Sequence, residues 1–352
     1  MTDGKSGRTA SRELMADAEF DALLSDADMR RQAGLRRSID TAERLSAALE
    51  ESALGPVKGE RPWFTRRPVS TIRPGEHAWL AFSAEPERDR VIGAFIRDAL
   101  EMNEKMVYIT DSGPKQLSGV LPRHGYDLPA LTMTGHLCFI PREKACLDSR
   151  GRFDVDRMSK TLEQQAADAF DQGFRAVRMT TDLTWTLKEP GRSGFKRMLG
   201  CEDRLGDAVF STSMAMAICQ VDKRHCTAEE LVALADAHEL VVEPNPEYDD
   251  GILRITRTFS PSGLRIEGEV DWTHLPILTK LLGSSEVPAE PVHLELSRLG
   301  FIDLGALNAI ARHARQLPRG APLTLHNVPP RILYVIQKIG WQYLPGIVLK
   351  QM

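Results

Sequence analysis

No apolar run in this 352-residue chain approaches the ~18 residues that a membrane-spanning helix needs, and the first twenty residues hold no apolar core of a secretory leader. A cytoplasmic location follows as the expectation. The five cysteines, Cys138, Cys146, Cys201, Cys219 and Cys226, are odd in number, widely spaced and free of any CxxC pair. That argues against an oxidised framework and against zinc-ribbon spacing. His136 with Cys138, and His225 with Cys226, fit no zinc motif either, so no metal and no other cofactor is expected. No Gly-x-Ser-x-Gly elbow occurs, and no Ser-His-Asp or paired-carboxylate constellation is legible. The formal net charge is -4, which leaves no global basic field for nucleic acid. An enzyme is therefore not the expectation, and neither is a general nucleic-acid binder.

Hydrophobic residues make up 42% and charged residues 27%, the balance of a chain able to bury substantial cores. The length suggests two domains and an extra segment. Residues 1–69 read as a polar start, two amphipathic helices within 11–52 and a basic, Pro/Gly-rich linker. The helices suit self-association into a homodimer, or partner docking. Arg30, Arg31, Arg36, Arg37 and the linker cations keep open a DNA-binding repressor as the alternative.

From His77 the pattern alternates strand and helix: HAWLAF, a helix from Pro86, MVYIT, a helix near Lys115–Arg123, LCFIP, the amphipathic DVDRMSKTLEQQAADAFDQ, AVRMTTD, AMAICQVD, TAEELVALADAHE and LVVEP. This predicts a mostly parallel α/β sheet over residues 70–245, covered on both faces. After the polar NPEYDDG at 245–251 the order changes. ILRITRTFS and GLRIEGEVD form an expected hairpin, followed by helix WTHLPILTKLL, strand VHLELSRLGF, helix LGALNAIARHARQL, strand PLTLHNV, helix PRILYVIQKIG and strand GIVLK. A second, smaller α/β domain over 251–352 is predicted.

That C-terminal order resembles the STAS domain of anti-sigma-factor antagonists. The resemblance rests on GEVD at 268–271, HLELSRLGFID at 293–303 and the helix GALNAIARHARQL. In the family, a Ser or Thr at the start of this helix takes a phosphate that ejects the partner protein. Here the segment is Asp303-Leu304-Gly305-Ala306, without a hydroxyl. The resemblance implies constitutive binding of a protein partner, an anti-sigma factor or serine-kinase-type ATPase, through Asp303, Leu304, Gly305, Ala306 and Asn308. The plain alternative is a divergent domain kept for packing or dimerisation.

Residues 70–245 resemble the MEDS sensory domain of methanogen and methylotroph signalling proteins. The motifs are PGEHAWLAF, EKMVYITD, GRFDVDRM at 151–158, RMTTDLTW at 178–185 and AICQVDKR at 217–224. This implies a degenerate RecA-like fold. The loop FSAEPERDR, 82–90, lacks the glycines and lysine of a P-loop and carries Glu85, Glu87 and Asp89. ATP hydrolysis, a third reading, is therefore disfavoured. Parallel sheets bind ligands beyond the carboxyl ends of their strands. Ser83, Asp111, Asp182, Trp185, Gln220 and Asp222 are accordingly the candidate pocket for an unidentified small molecule, with turn capping by Asp182 and packing by Trp185 as the plain alternative. The combined expectation is a bacterial signal-transduction regulator that adjusts transcription.

Overall fold

The computed structural model describes residues 66–110, 117, 125–188, 193–205, 214–238, 240–284, 292–318 and 320–350. The expected N-terminal helices, most of the basic linker, most of the helix near Lys115–Arg123 and Asp111 lie outside the described residues.

In chain order the first part contains β1 (Arg66–Pro68), β2 (His77–Phe82), α1 (Glu85–Glu101), β3 (Lys105–Ile109), α2 (Leu128–Met133), β4 (Leu137–Ile140), α3 (Arg142–Ala145), α4 (Val155–Asp171), β5 (Val177–Asp182), α5 (Ser193–Leu205), β6 (Ala215–Asp222), α6 (Ala228–Asp236) and β7 (Leu240–Glu243). The seven strands form one parallel sheet in the order β1-β7-β2-β6-β5-β3-β4. β2 does not pair with β3; β6 and β5 lie between them, which is the RecA-like arrangement expected from the sequence. Parallel strands buried on both faces need apolar residues at nearly every position, and all eight residues of β6 are buried. Ala78, Leu80, Met106, Tyr108 and Ile218 face α1, which contributes Val91, Ile92, Phe95 and Ile96. Val107, Met179, Ala217 and Cys219 face α4, α5 and α6, which contribute Met158, Leu162, Phe195, Met198 and Leu234.

Arg66–Pro68, expected inside a linker, instead form β1 against β7. Val69 and Ile72 behind them are buried in the core beside α1. Burial of two apolar side chains and closure of a sheet edge outweigh the local Pro and Arg signals.

The second part contains β8 (Tyr248–Asp249), β9 (Leu253–Phe259), β10 (Ser262–Val270), α7 (Leu275–Gly283), β11 (His293–Glu295), β12 (Leu299–Ile302), α8 (Leu304–Gln316), β13 (Leu323–His326), α9 (Pro330–Lys338) and β14 (Ile347–Lys350). The sheet runs β14-β13-β11-β10-β9-β8, with β12 also paired to β10. β9 and β10 form the expected antiparallel hairpin across Ser260–Pro261. The single strand expected over VHLELSRLGF is two, both parallel to β10. β11 pairs with Gly263–Arg265 and β12 with Gly268–Val270, and a register shift between Gly268 and Glu269 lies within the second pairing. Gly268 has φ 91°, and a Cβ there would lie 2.0 Å from the Ile252 carbonyl oxygen, so glycine alone suits this position of the GEVD segment. Leu278, Leu281, Leu307, Ile310, Ile332 and Trp341 pack with the sheet into one core.

Three ion pairs tie residues of the two parts together or buttress the contact. Arg265 of β10 reaches Glu243 of β7 at 2.7 Å, and Glu247 accepts from both Arg90 of α1 and Arg257 of β9. Deeper in the first sheet, Arg178 and Glu104 pair at 2.7 Å with almost no solvent contact, and the Arg178 guanidinium also lies over Phe95. Removing one member of a buried pair leaves an uncompensated charge. Glu104→Ala is therefore expected to cost about 3–5 kcal/mol in urea unfolding. A loss within ~1 kcal/mol would mean that water or rearrangement relieves the guanidinium.

Candidate functional site

The sequence-predicted pocket lies along the carboxyl ends of β2, β5 and β6, and its described side chains are engaged with neighbouring groups. Asp182 ends β5 and accepts a hydrogen bond from the Thr184 N–H at 2.9 Å. The Thr184 hydroxyl accepts from the Asp222 N–H at 2.9 Å. Asp222 caps the short 3-10 turn Lys223–His225 and clamps the Arg224 guanidinium, which holds its carboxyl below the usual carboxylate range. Gln220 is fully buried, donating to the Thr180 hydroxyl at 2.8 Å, with the Tyr108 hydroxyl at 3.5 Å. Burial pushes the Tyr108 phenol up to about 12. Trp185 packs on Phe153 and under the Arg142 guanidinium, 4.5 Å from the ring centre. The polar groups here brace two strand ends.

Ser83 sits where a phosphate-binding loop would start. Its backbone N–H and its hydroxyl both donate to the Glu87 carboxylate, at 2.9 and 3.2 Å. A carboxylate from the loop's own helix thus takes the amide that a phosphate would need.

A different constellation is the one that the chain brings together most tightly. His77 opens β2 and Cys219 lies on the neighbouring β6, on the face covered by α5 and α6. Glu202 of α5 and His238, just beyond α6, complete it. His77 Nε2 is 2.9 Å from a Glu202 oxygen and 3.2 Å from Cys219 Sγ. Cys219 Sγ is 3.2 Å from Glu202 Oε1, and His238 Nε2 is 3.6 Å from Glu202 Oε2. One donor atom from each of the four lies within 4.8 Å of all the others, and all four residues are buried. Burial alone would raise the Glu202 carboxyl, but the charge and hydrogen bond of His77, with His238 and the Cys219 thiol, outweigh it and hold Glu202 at about 2. Burial, with the charge of His77, lowers His238 to about 4 against the opposing pull of Glu202. A small pocket adjoins His77 and Cys219, walled by Met158, Leu162, Met179 and Ala217. Its size is nearer a water molecule than a drug-like ligand.

Sequence spacing missed this group because its members come from four separate elements. The signals were present singly: an inward His opening an apolar strand, a Cys in another, and a His at the end of a capped helix. The pairs that spacing did single out do not converge. His136 Nδ1 meets Thr134, and His225 is half exposed beside Asp222.

In the second sheet, Asp303 caps α8, accepting from the Ala306 N–H at 2.7 Å. Its own N–H donates to the Val270 carbonyl, which ties the helix start to the end of β10. Gly305 is exposed, Leu304 is half-buried against its own domain's core, Ala306 is buried, and Asn308 is half-buried one turn along. Trp272, just after β10, is 73% exposed beside this start.

Residues 76–239 match the family model described as MEDS, the methanogen/methylotroph, DcmR sensory domain, and residues 253–348 match the one described as Mlab, STAS domain. The chain carries a MEDS domain followed by a STAS domain. No curated protein matches the chain. Among solved structures, the KaiC-like protein PH0186 from the hyperthermophilic archaeon Pyrococcus horikoshii OT3 is 12% identical, with 55% of this chain and 80% of that chain covered and a TM-score of 0.35. The buried His/Glu/Cys/His group and the strand-end carboxylates both lie in the MEDS domain, and the capped α8 start lies in the STAS domain. The pair of domains gives the chain a regulatory or sensory role, and STAS domains generally act through protein contacts. No helix among the described residues is long and apolar enough to cross a membrane.

If Asp222 braces the MEDS strand ends, Asp222→Ala lowers stability by about 0.5–2 kcal/mol near neutral pH, the usual cost of a lost cap. Because its carboxyl is depressed in the fold, the contribution is present above the unfolded value of ~3.9 and is lost as pH falls through the lower folded value. The difference between wild type and variant, read by urea unfolding, is expected to shrink below about pH 4. A constant difference at all pH values would assign the loss to packing.

Proposed function

We propose that the MEDS domain senses a ligand or partner, and that the STAS domain passes the signal on by binding a protein of the anti-sigma-factor or serine-kinase-type ATPase class, adjusting transcription indirectly. The observation that carries this reading is the start of α8. It is capped by Asp303, presents exposed Gly305, and lies beside the exposed indole of Trp272. An exposed aromatic next to a rigid helix start is the composition of an interaction hot spot. Leu304 and Gly305 stand where a hydroxyl would receive phosphate, so occupancy of this surface is set by the partner and by the MEDS domain rather than by a phosphoserine.

The protein is not proposed to be an ATPase. The Glu87 carboxylate on the Ser83 amide, together with the missing lysine and glycines, supports that reading. Magnesium-ATP is expected to produce no thermal shift, and turnover abolished by Asp182→Ala would overturn this part.

The partner reading is tested by affinity capture from the native lysate with wild type, Leu304→Glu and Trp272→Ala. Wild type is expected to retain an ATPase-domain protein, and the glutamate is expected to weaken retention at least about tenfold by adding charge where a phosphate would act. Trp272→Ala is expected to weaken it as well. Equal retention by all three would move the docking surface elsewhere.

A further inference from the structure

The four buried donors in the MEDS domain point to a function that the partner-binding reading does not include. We propose that His77, Glu202, Cys219 and His238 form a binding site for one divalent transition-metal ion of the zinc class. Around a tetrahedral zinc, ligand atoms at about 2.0–2.3 Å stand roughly 3.3–3.8 Å from one another. With Glu202 Oε2 as its donor, the separations of 2.9 Å to His77, 3.4 Å to Cys219 and 3.6 Å to His238, and of 3.2 Å between His77 and Cys219, approach that spacing, and one donor atom from each residue lies within 4.8 Å of all the others, so side-chain shifts that close the widest pairs would seat an ion.

The orientation of His238 supplies the second, independent observation. Its Nδ1 lies 2.7 Å from the Leu234 carbonyl oxygen, to which only an N–H can donate. That fixes the proton on Nδ1 and leaves Nε2 as a bare lone pair. Nε2 is buried and accepts no hydrogen bond, yet it points at Glu202 from 3.6 Å. A backbone carbonyl holding the far nitrogen of an imidazole is the usual outer support of a metal-bound histidine. A proton-sharing network of the same four residues is the competing account. It explains the His77–Glu202 and Cys219–Glu202 contacts, but it leaves this lone pair without a donor in the core.

The chemistry balances. An M2+ ion entering the site displaces the Cys219 thiol proton to solvent. His77, whose Nε2–H faces the Glu202 carboxylate, gives up that proton as it binds through Nε2: a neutral ring takes it back on Nδ1 and an imidazolium releases it to solvent, so either way a neutral imidazole stands beside the ionised Glu202. One thiolate and one carboxylate then neutralise the two positive charges, so the buried centre carries no net charge. Two imidazoles, a thiolate and a carboxylate are a borderline donor set that favours zinc or cobalt(II) over magnesium or calcium.

The test uses the full chain purified without chelator, with metal content measured by mass spectrometry, followed by removal of metal and titration with cobalt(II). Wild type is expected to hold one zinc-class ion per chain. With cobalt it is expected to show a thiolate-to-cobalt charge-transfer band and the visible intensity of four-coordination. Cys219→Ser, nearly isosteric, is expected to lose the charge-transfer band, and His238→Gln to weaken cobalt binding at least about 100-fold. Cys138→Ser is expected to leave the band unchanged. Circular dichroism identifies any variant that has not folded, and the wild-type measurements decide the matter even if every variant fails. Folded wild type without bound metal and without a cobalt spectrum overturns the proposal, as does a band that survives in folded Cys219→Ser. Neither result depends on what the STAS domain binds.

Discussion

The pairing of β2 with β6 in the middle of a parallel sheet is the constraint on which the first domain rests. Neither strand has a solvent-facing side, so every side chain on them is committed to one of two packed layers. The register sets Ala217 opposite His77 and Cys219 opposite Trp79, which keeps His77 and Cys219 on one face and diagonal to each other. Everything polar on that face then has to find its partner inside the protein, because water cannot serve it. α5 brings Glu202, and the turn after α6 brings His238, to the same spot.

Much of this arrangement was readable from the sequence. Strand alternation, the Thr227 capping box and the switch to hairpin pairing after residue 251 anticipate β2 to β7, α6 and the β9–β10 hairpin. Local signals of this kind depend on neighbours in the chain, which a sequence displays directly. The misses have a common cause. β1 is a strand only because β7 offers it an edge, and β11 and β12 are separate because they pair with different stretches of β10. Such events are settled by residues far away along the chain.

The candidate sites show the same division. Asp303 at a helix start is a local feature, and it holds as a cap. Ser83, Asp182, Gln220 and Asp222 lie at or near strand ends, which topology sets, but their hydrogen-bond partners, which turn them into braces, depend on side-chain geometry. The four-donor group was invisible to spacing rules, because those rules describe ligands carried on one hairpin or one helix.

The course of the chain from His238 to the seam between the domains is short. β7 begins almost at once and ends at Glu243, the residue that holds Arg265 of the STAS sheet. An imidazole in the interior of one domain and a carboxylate at the seam with the other thus lie five positions apart in the chain, the second of them closing β7.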